Sequence, residues 1–501
     1  MPTFVDPLKR SIQTAPERLA IIFEDKRITH RQLWSRCCRL AAILQEKGAK
    51  PGDRVAILAA NCSQYIEAYM AIPAAGFVIV PLNTRHAEPE LRYALEDAGA
   101  RILLTDRDPG ALSDLVESVV MIPDEYDALL EEAEEAELGI GVTEDNLAGL
   151  FYTGGTTGAS KGVMLSHRNL IANAFQFMTA SPPNPQDIFL IMAPLFHAAG
   201  SNGVLGGIWS GSCQIPLKAF DPSVALDLIA EHKVSHTLGV PAMIAAIAEE
   251  QLKTPRDTGS VRMVGHGGSP IPTEVIRRAH RSYPNAEFVE VYGATETGPL
   301  LTALRHEETF LDVERGQSCG QPLIGVQLKI VDDAGADVEQ GEVGEVVAHG
   351  ANIMQGYWKK PDLTAEVLQD GWYRTGDLGR MDNEGYLFLV DRAKEMIVSG
   401  GENVYCSEVE EVLYKHPAVL EAAVFGVPDE KWGEAVHAVV VSREKVSADE
   451  LIESCREYIA GYKLPKSISF STTELPKSGP GKILKRELRA PFWEGRDSRV
   501  N

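Results

Sequence analysis

From Thr29 onward the chain carries a helical pattern. Leu33, Cys37, Leu40 and Leu44 recur on one face, and Thr29 supplies the N-cap. Pro51-Gly52-Asp53 then turns into Arg54-Val55-Ala56-Ile57-Leu58, a short apolar run of the kind that makes a buried strand. Residues 64–75 predict a helix, 78–82 a strand, 88–98 a helix and 102–105 another strand. This β–α alternation predicts a layered α/β domain. Residues 122–146 break the rhythm with a dense acidic run, read as an exposed connector.

Strand patterns resume at 147–153 and 162–165, and Ser166 then offers an N-cap for a helix. Further strands are predicted at 187–194, 234–238, 261–264 and 288–292, with a helix from Thr273. From Gly316 the texture changes to glycine-rich segments, and 326–331, 344–348 and 385–389 read as antiparallel strands. The last part, from Lys394, reads as a compact unit with helices over 407–414 and 448–458 and strands over 419–427, 435–441 and 467–470. The prediction is therefore α/β: a large N-terminal domain, 1–393, of layered α/β subdomains plus a β-rich subdomain, and a small α+β C-terminal domain, 394–501.

Composition narrows the function. The 501 residues are 44% hydrophobic, enough for large cores, and the formal net charge is −23. An acidic surface repels phosphate backbones, so no nucleic-acid partner is expected. Seven scattered cysteines without a CxxC support neither a disulfide framework nor a zinc site, and fit reduced thiols in the cytoplasm. No secretory signal is visible at the N-terminus, and no apolar run reads as a transmembrane helix.

Candidate chemistry sits in the interruptions of the pattern. Tyr152-Thr153-Gly154-Gly155-Thr156-Thr157-Gly158-Ala159-Ser160-Lys161-Gly162 joins two strands with glycines, hydroxyls and one lysine. Glycine lets the backbone approach a ligand, successive N–H groups converge on an anion, and Lys161 adds charge. The spacing is not that of the P-loop NTPases. A strand end carries Tyr292-Gly293-Ala294-Thr295-Glu296, and a carboxylate beside phosphate-binding hydroxyls suits Mg2+. Gly265-His266-Gly267-Gly268-Ser269 follows another strand. Phe196-His197-Ala198-Ala199-Gly200 suits a pocket wall or close helix packing around a core histidine. Asp377 and Arg392 are spaced so that both could reach one ribose. Lys482, in Pro476-Lys477-Ser478-Gly479-Pro480-Gly481-Lys482, is pinned among glycines and prolines.

Five stretches in this order, Tyr152 to Gly162, Tyr292 to Glu296, Tyr373 to Asp377, Asp391 to Asn403 and Pro476 to Lys482, resemble the acyl-CoA synthetase group of adenylate-forming enzymes, the superfamily that also holds luciferases and adenylation domains. The resemblance spans nearly the whole chain. It implies an AMP-forming acid–thiol ligase that uses ATP, Mg2+ and coenzyme A. A carboxylate attacks the α-phosphate of ATP to give an acyl-adenylate and pyrophosphate, and CoA then displaces AMP. By the same resemblance Thr153, Gly154, Gly155, Thr156, Thr157, Gly158 and Lys161 grip the β- and γ-phosphates. Thr295 meets the α-phosphate, Glu296 binds Mg2+, Gly268, Ser269 and Tyr292 flank the adenine, and Gly293 and Ala294 belong to the same ATP/AMP site. Asp377 and Arg392 hold the ribose. Lys482 bridges the carboxylate and the α-phosphate. His197, also put forward as catalytic, borders the acyl pocket with Ala198, Ala199, Gly200, Val240 and Gly267. Lys394 is the implied hinge about which the small domain turns, and Gly400 and Gly401 line the CoA channel.

Three positions depart from the family pattern. Gly154 stands where serine is usual, Ala159-Ser160 where x-Pro is expected, and Cys406 in place of a common proline. The missing proline leaves the loop less preorganised. The small residues beside His197 are read as room for the acid. The leading reading is a medium- or long-chain fatty acid. Alternatives are an aryl or cinnamate-type acid, an adenylate former that loads a carrier protein, or an adenylate-binding homologue without chemistry. The absence of an attached carrier domain favours free CoA, and a homodimer is compatible with the resemblance.

Overall fold

The computed structural model describes residues 1–493 apart from 156–157, 269–270, 272, 307–312, 393–394, 400–401, 430–431 and 478–482. Side chains at 154–155, 158–159, 201–202, 273–274, 391–392, 398, 402–403 and 433 also lie outside the description. The chain divides into two compact units, Met1–Leu328 with Ala348–Tyr373, and Lys329–Val347 with Arg374–Asn501.

The first unit holds two large sheets. One has seven strands in the order Gly356–Tyr357, Gly158–Ser166, Leu147–Gly155, Val78–Pro81, Arg54–Leu58, Ala100–Thr105 and Ser118–Met121. The other has nine: Gln321–Pro322, Thr302–His306, Glu287–Tyr292, Met263–Gly267, His236–Gly239, Ile188–Ile191, Cys213–Pro216, Leu19–Phe23 and Lys26–Thr29. Both have parallel centres with antiparallel strands at an edge. The Ser63–Ala74 helix explains why a parallel pair of sheets can form. It is buried on every face, so it covers strands that are themselves apolar on both sides. One hydrophobic cluster runs through it, joining Ile57 and Ile79 of one sheet to Ile21, Ile191 and Val289 of the other.

The predicted caps are present. Thr29 and Ser166 each accept from the N3 backbone N–H, and Gln32 and Asn169 bond back to the cap N–H. The acidic run departs from the expected exposed connector. Asp124–Glu132 is a helix that buries Tyr126 and Leu130, while Asp127 pairs with Lys26 and Arg36. Two apolar residues on one face were enough to dock it, and the carboxylates face partners or water.

Val326–Val331, Gly344–Gly350, Trp372–Met381, Leu368–Gln369 and Leu387–Arg392 form a five-stranded sheet. The second unit ends in an α+β layer. Helices Cys406–Tyr414 and Ala448–Cys455 pack on a sheet built around Val419–Asp429 and Gly433–Ser442. Cys406 opens its helix, where a proline would fit. Its buried thiol donates to the carbonyl of Glu395 at 3.1 Å.

Candidate active site

The glycine and threonine stretch is the tip of a hairpin longer than its sequence indicates. Strands Leu147–Gly155 and Gly158–Ser166 pair Tyr152 with Gly162, Thr153 with Lys161 and Gly155 with Gly158. Thr156 and Thr157 lie outside the described residues. Two side chains anchor the tip. Tyr152 donates to Asp97 at 2.7 Å, tying the hairpin to the Glu88–Ala98 helix. Ser160 donates to the carbonyl of Thr153 at 2.7 Å. The serine that replaces the expected proline thus pins the loop by a hydrogen bond.

Glu296 reaches this hairpin through a short strand that the sequence did not single out. Gly356–Tyr357 pairs with Met164 and Val163. The preceding N–H of Met354 donates to the carbonyl of Glu296 at 2.9 Å, and that of Trp358 to Gly162 at 2.8 Å. The Tyr357 hydroxyl donates to Glu296 Oε1 at 2.9 Å. Lys161 Nζ lies 5.1 Å from the centre of the Tyr357 ring, within cation–π range. One buried tyrosine therefore holds both the lysine and the carboxylate. Burial, and then the Glu296 charge, push its phenol above the usual range, so the hydroxyl remains a donor. Glu296 keeps Oε2 without a protein donor among the described residues. A carboxylate oxygen left open beside a glycine-rich hairpin that carries a lysine fits Mg2+, which takes few protein ligands and completes its shell with phosphate and water oxygens.

The neighbouring strand ends carry the glycines and the tyrosine that the sequence led us to expect at the nucleotide. Thr295–Thr297 is a short helical turn, closed where Thr297 accepts from the N–H of Ala294 at 3.0 Å. Gly267 sits where a Cβ would lie 2.3 Å from the carbonyl of Val291, so only glycine fits between these strands. Gly268 has φ +85°, the left-handed region glycine tolerates, and its open side faces Val240. Tyr292 ends the next strand. Ser269 is outside the described residues.

His197 is the N-cap residue of the Ala198–Ser210 helix. Its Nε2 is buried without a hydrogen bond among the described residues. Burial first, then Arg85 and His86, lower its pKa to about 4, which leaves it neutral. The small residues after it are not spare room. A Cβ on Gly200 would lie 2.9 Å from the carbonyl of Pro194, Ala198 is buried, and Gly207 packs on Gln214. They let the helix approach its neighbours closely. Ala199 remains partly exposed.

In the second unit Asp377 and Arg392 are direct cross-strand partners on Trp372–Met381 and Leu387–Arg392. The motif from Tyr373 to Asp377 lies within a strand, where the Thr375 hydroxyl donates to Val346 at 2.7 Å. Lys394, Gly400, Gly401 and Lys482 lie outside the described residues.

The AMP-binding enzyme model matches residues 8–358, and the AMP-binding enzyme C-terminal domain matches 408–482. The chain belongs to the adenylate-forming acyl-CoA synthetase family. Among its relatives is a feruloyl-CoA synthase of Amycolatopsis sp, 39% identical over 97% of this chain and 98% of the relative. A fatty acid–[acyl-carrier-protein] ligase of Streptomyces coeruleorubidus is 35% identical over 100% and 98%. Among solved structures, o-succinylbenzoate CoA synthetase from Bacillus subtilis, in complex with its acyl-adenylate intermediate, superposes with a TM-score of 0.88 at 35% identity, over 97% of this chain and 98% of that one. A member of this acyl-CoA synthetase family is an AMP-forming acid–thiol ligase, with ATP, Mg2+ and CoA as its reactants and cofactor. No helix among the described residues is long and apolar enough to cross a membrane.

Proposed function

We propose that the acid is an aromatic one of the cinnamate type and that free CoA is the acceptor. The observation that carries this reading is the 39% identity to a feruloyl-CoA synthase over nearly both chains. The succinylbenzoate enzyme, whose substrate also bears an aryl ring, supports it. The close packing of Gly200 removes the reason for expecting extra room beside His197. A fatty acid keeps support from the carrier-protein ligase relative.

The chemistry asks two anions to meet. Lys161 and the hairpin N–H groups lower that repulsion by holding the phosphates that leave. Tyr357 orients Glu296, the carboxylate that would hold Mg2+, and the ion when bound neutralises phosphate charge. The acid's oxygen forms a bond to the α-phosphorus as the bond to pyrophosphate breaks, with Thr295 proposed as a donor there and Lys482 proposed to meet the developing charge. The CoA sulfur then attacks the acyl carbon, the bond to AMP breaks, and the thiol proton passes to water. Neutral His197 can border the acid without adding charge. Seven cysteines, six of them buried, support a cytoplasmic setting.

The test is an acid panel of ferulate, coumarate, benzoate, octanoate, palmitate and acetate with ATP, Mg2+ and CoA. Ferulate or coumarate should give the highest kcat/KM. Preference for octanoate or palmitate would replace the aryl reading with the fatty-acyl one. Acyl-adenylate without CoA thioester would move the acceptor to a carrier protein.

A further inference from the structure

Three adjacent strands of the nine-stranded sheet bring His266, Glu290 and His306 to one face. His266 is the register partner of Glu290 across the parallel pair. His306 opposes Phe288, two residues before Glu290 and therefore on the same side of that strand. One ligating atom from each residue lies within 4.8 Å of the other two. The imidazole centres are 5.0 Å apart with their planes 14° apart. His306 Nε2 stands 3.3 Å from Glu290 Oε2, but off the line of a hydrogen bond.

His266 is 0% exposed and His306 6%. None of their four ring nitrogens has a hydrogen-bond partner among the described residues. Buried polar atoms are ordinarily paired, and leaving one unpaired is costly. Four in one place, facing a carboxylate, form a donor set lacking its acceptor.

We infer that His266, Glu290 and His306 form a binding site for a divalent transition ion of the Zn2+ class, separate from the Mg2+ carboxylate Glu296. Two imidazoles and a carboxylate suit Zn2+, whereas Mg2+ prefers oxygen ligands in an octahedron. Burial also holds His266 well below the usual histidine pKa, which leaves its ring neutral, the form that binds metal. Zn2+ bonds of about 2.0–2.2 Å require the three side chains to draw together. The strands of His266 and Glu290 lead directly into Gly267, Gly268 and Tyr292, and the His306 strand pairs with Tyr292 through Thr302. An ion here would brace the strand ends that flank the proposed adenine position, without entering the reaction.

The test uses the full chain, stripped with a chelator and then given Zn2+ alone or Mg2+ alone. After dialysis, elemental analysis should find one Zn2+ per chain in the wild-type protein and in Glu296→Gln, and at least tenfold less in His266→Gln and His306→Gln. Zn2+, not Mg2+, should raise the melting temperature of the wild-type protein, and that rise should vanish in the two histidine variants. Co2+ should give ligand-field absorption bands of a nitrogen-bound ion in the wild-type protein, a readout that needs no variant to fold. Three results overturn the site: no retained Zn2+ in the wild-type protein, undiminished Zn2+ in folded histidine variants, or Co2+ without such bands. Loss of Zn2+ in Glu296→Gln would overturn it as well, by assigning the ion to the ATP site.

Discussion

Tyr357→Phe isolates what the tyrosine does for Glu296. The substitution removes one hydroxyl and keeps the ring beside Lys161, so the cation–π contact survives. The lost bond is 2.9 Å long, joins a carboxylate, and belongs to a residue only 5% exposed. Hydrogen bonds to charged groups contribute about 1.5–3 kcal/mol. If that bond sets the angle at which Glu296 meets Mg2+, the loss appears as about a 10- to 150-fold fall in kcat/KM for MgATP. The Mg2+ concentration for half-maximal rate should rise too. The assay is acid-dependent pyrophosphate release over a range of Mg2+, beside thioester formation from supplied acyl-adenylate. The second reaction should change less than twofold. An unchanged kcat/KM for MgATP, or an equal loss in both reactions, would refute the role given to Tyr357.

Other outcomes follow from the same structure. Lys482→Ala should depress adenylation far more than thioester formation from supplied acyl-adenylate; equal loss in both half-reactions would remove Lys482 from the first step. Gly267→Ala places a Cβ 2.3 Å from the Val291 carbonyl, a backbone atom that cannot yield cheaply. It should cost about 1–3 kcal/mol, read as a lowered melting temperature. His30, His167, His197 and His236 are all lowered to about 4, chiefly by burial, from an ordinary 6.5. The unfolded chain therefore binds protons first as pH falls. Stability should be full above pH 6.5 and drop between 6.5 and 4, by up to about 1.4 kcal/mol per pH unit for each histidine. A melting temperature flat across that interval would contradict their buried, neutral state.

Contiguous chemistry was legible in the sequence. The hairpin from Tyr152 to Lys161 and the strand end from Tyr292 to Glu296 each announce themselves because glycines and hydroxyls interrupt apolar runs. Asp377 and Arg392 were paired by spacing, and the register places them opposite each other. Tyr357 was not legible: it is 61 residues from Glu296, on a two-residue strand too short to show any period. Its position comes from pairing with Val163, a long-range contact. His266, Glu290 and His306 were hidden for the same reason, one on each of three strands. Gly200 shows the opposite failure. A glycine near a histidine reads equally as space for a ligand or as space for a backbone, and only the Pro194 carbonyl decides. The acidic helix over Asp124–Glu132 was masked by its charge, since two buried side chains were enough to dock it.

In the proposed reaction this chain first joins an acid to AMP and only then meets CoA. Exchange of labelled pyrophosphate into ATP, with ferulate and Mg2+ present and CoA absent, tests it most directly. Exchange should depend on the acid and fall sharply in Glu296→Gln and Lys161→Ala. Exchange without acid, or thioester formation with no exchange in the absence of CoA, would contradict it.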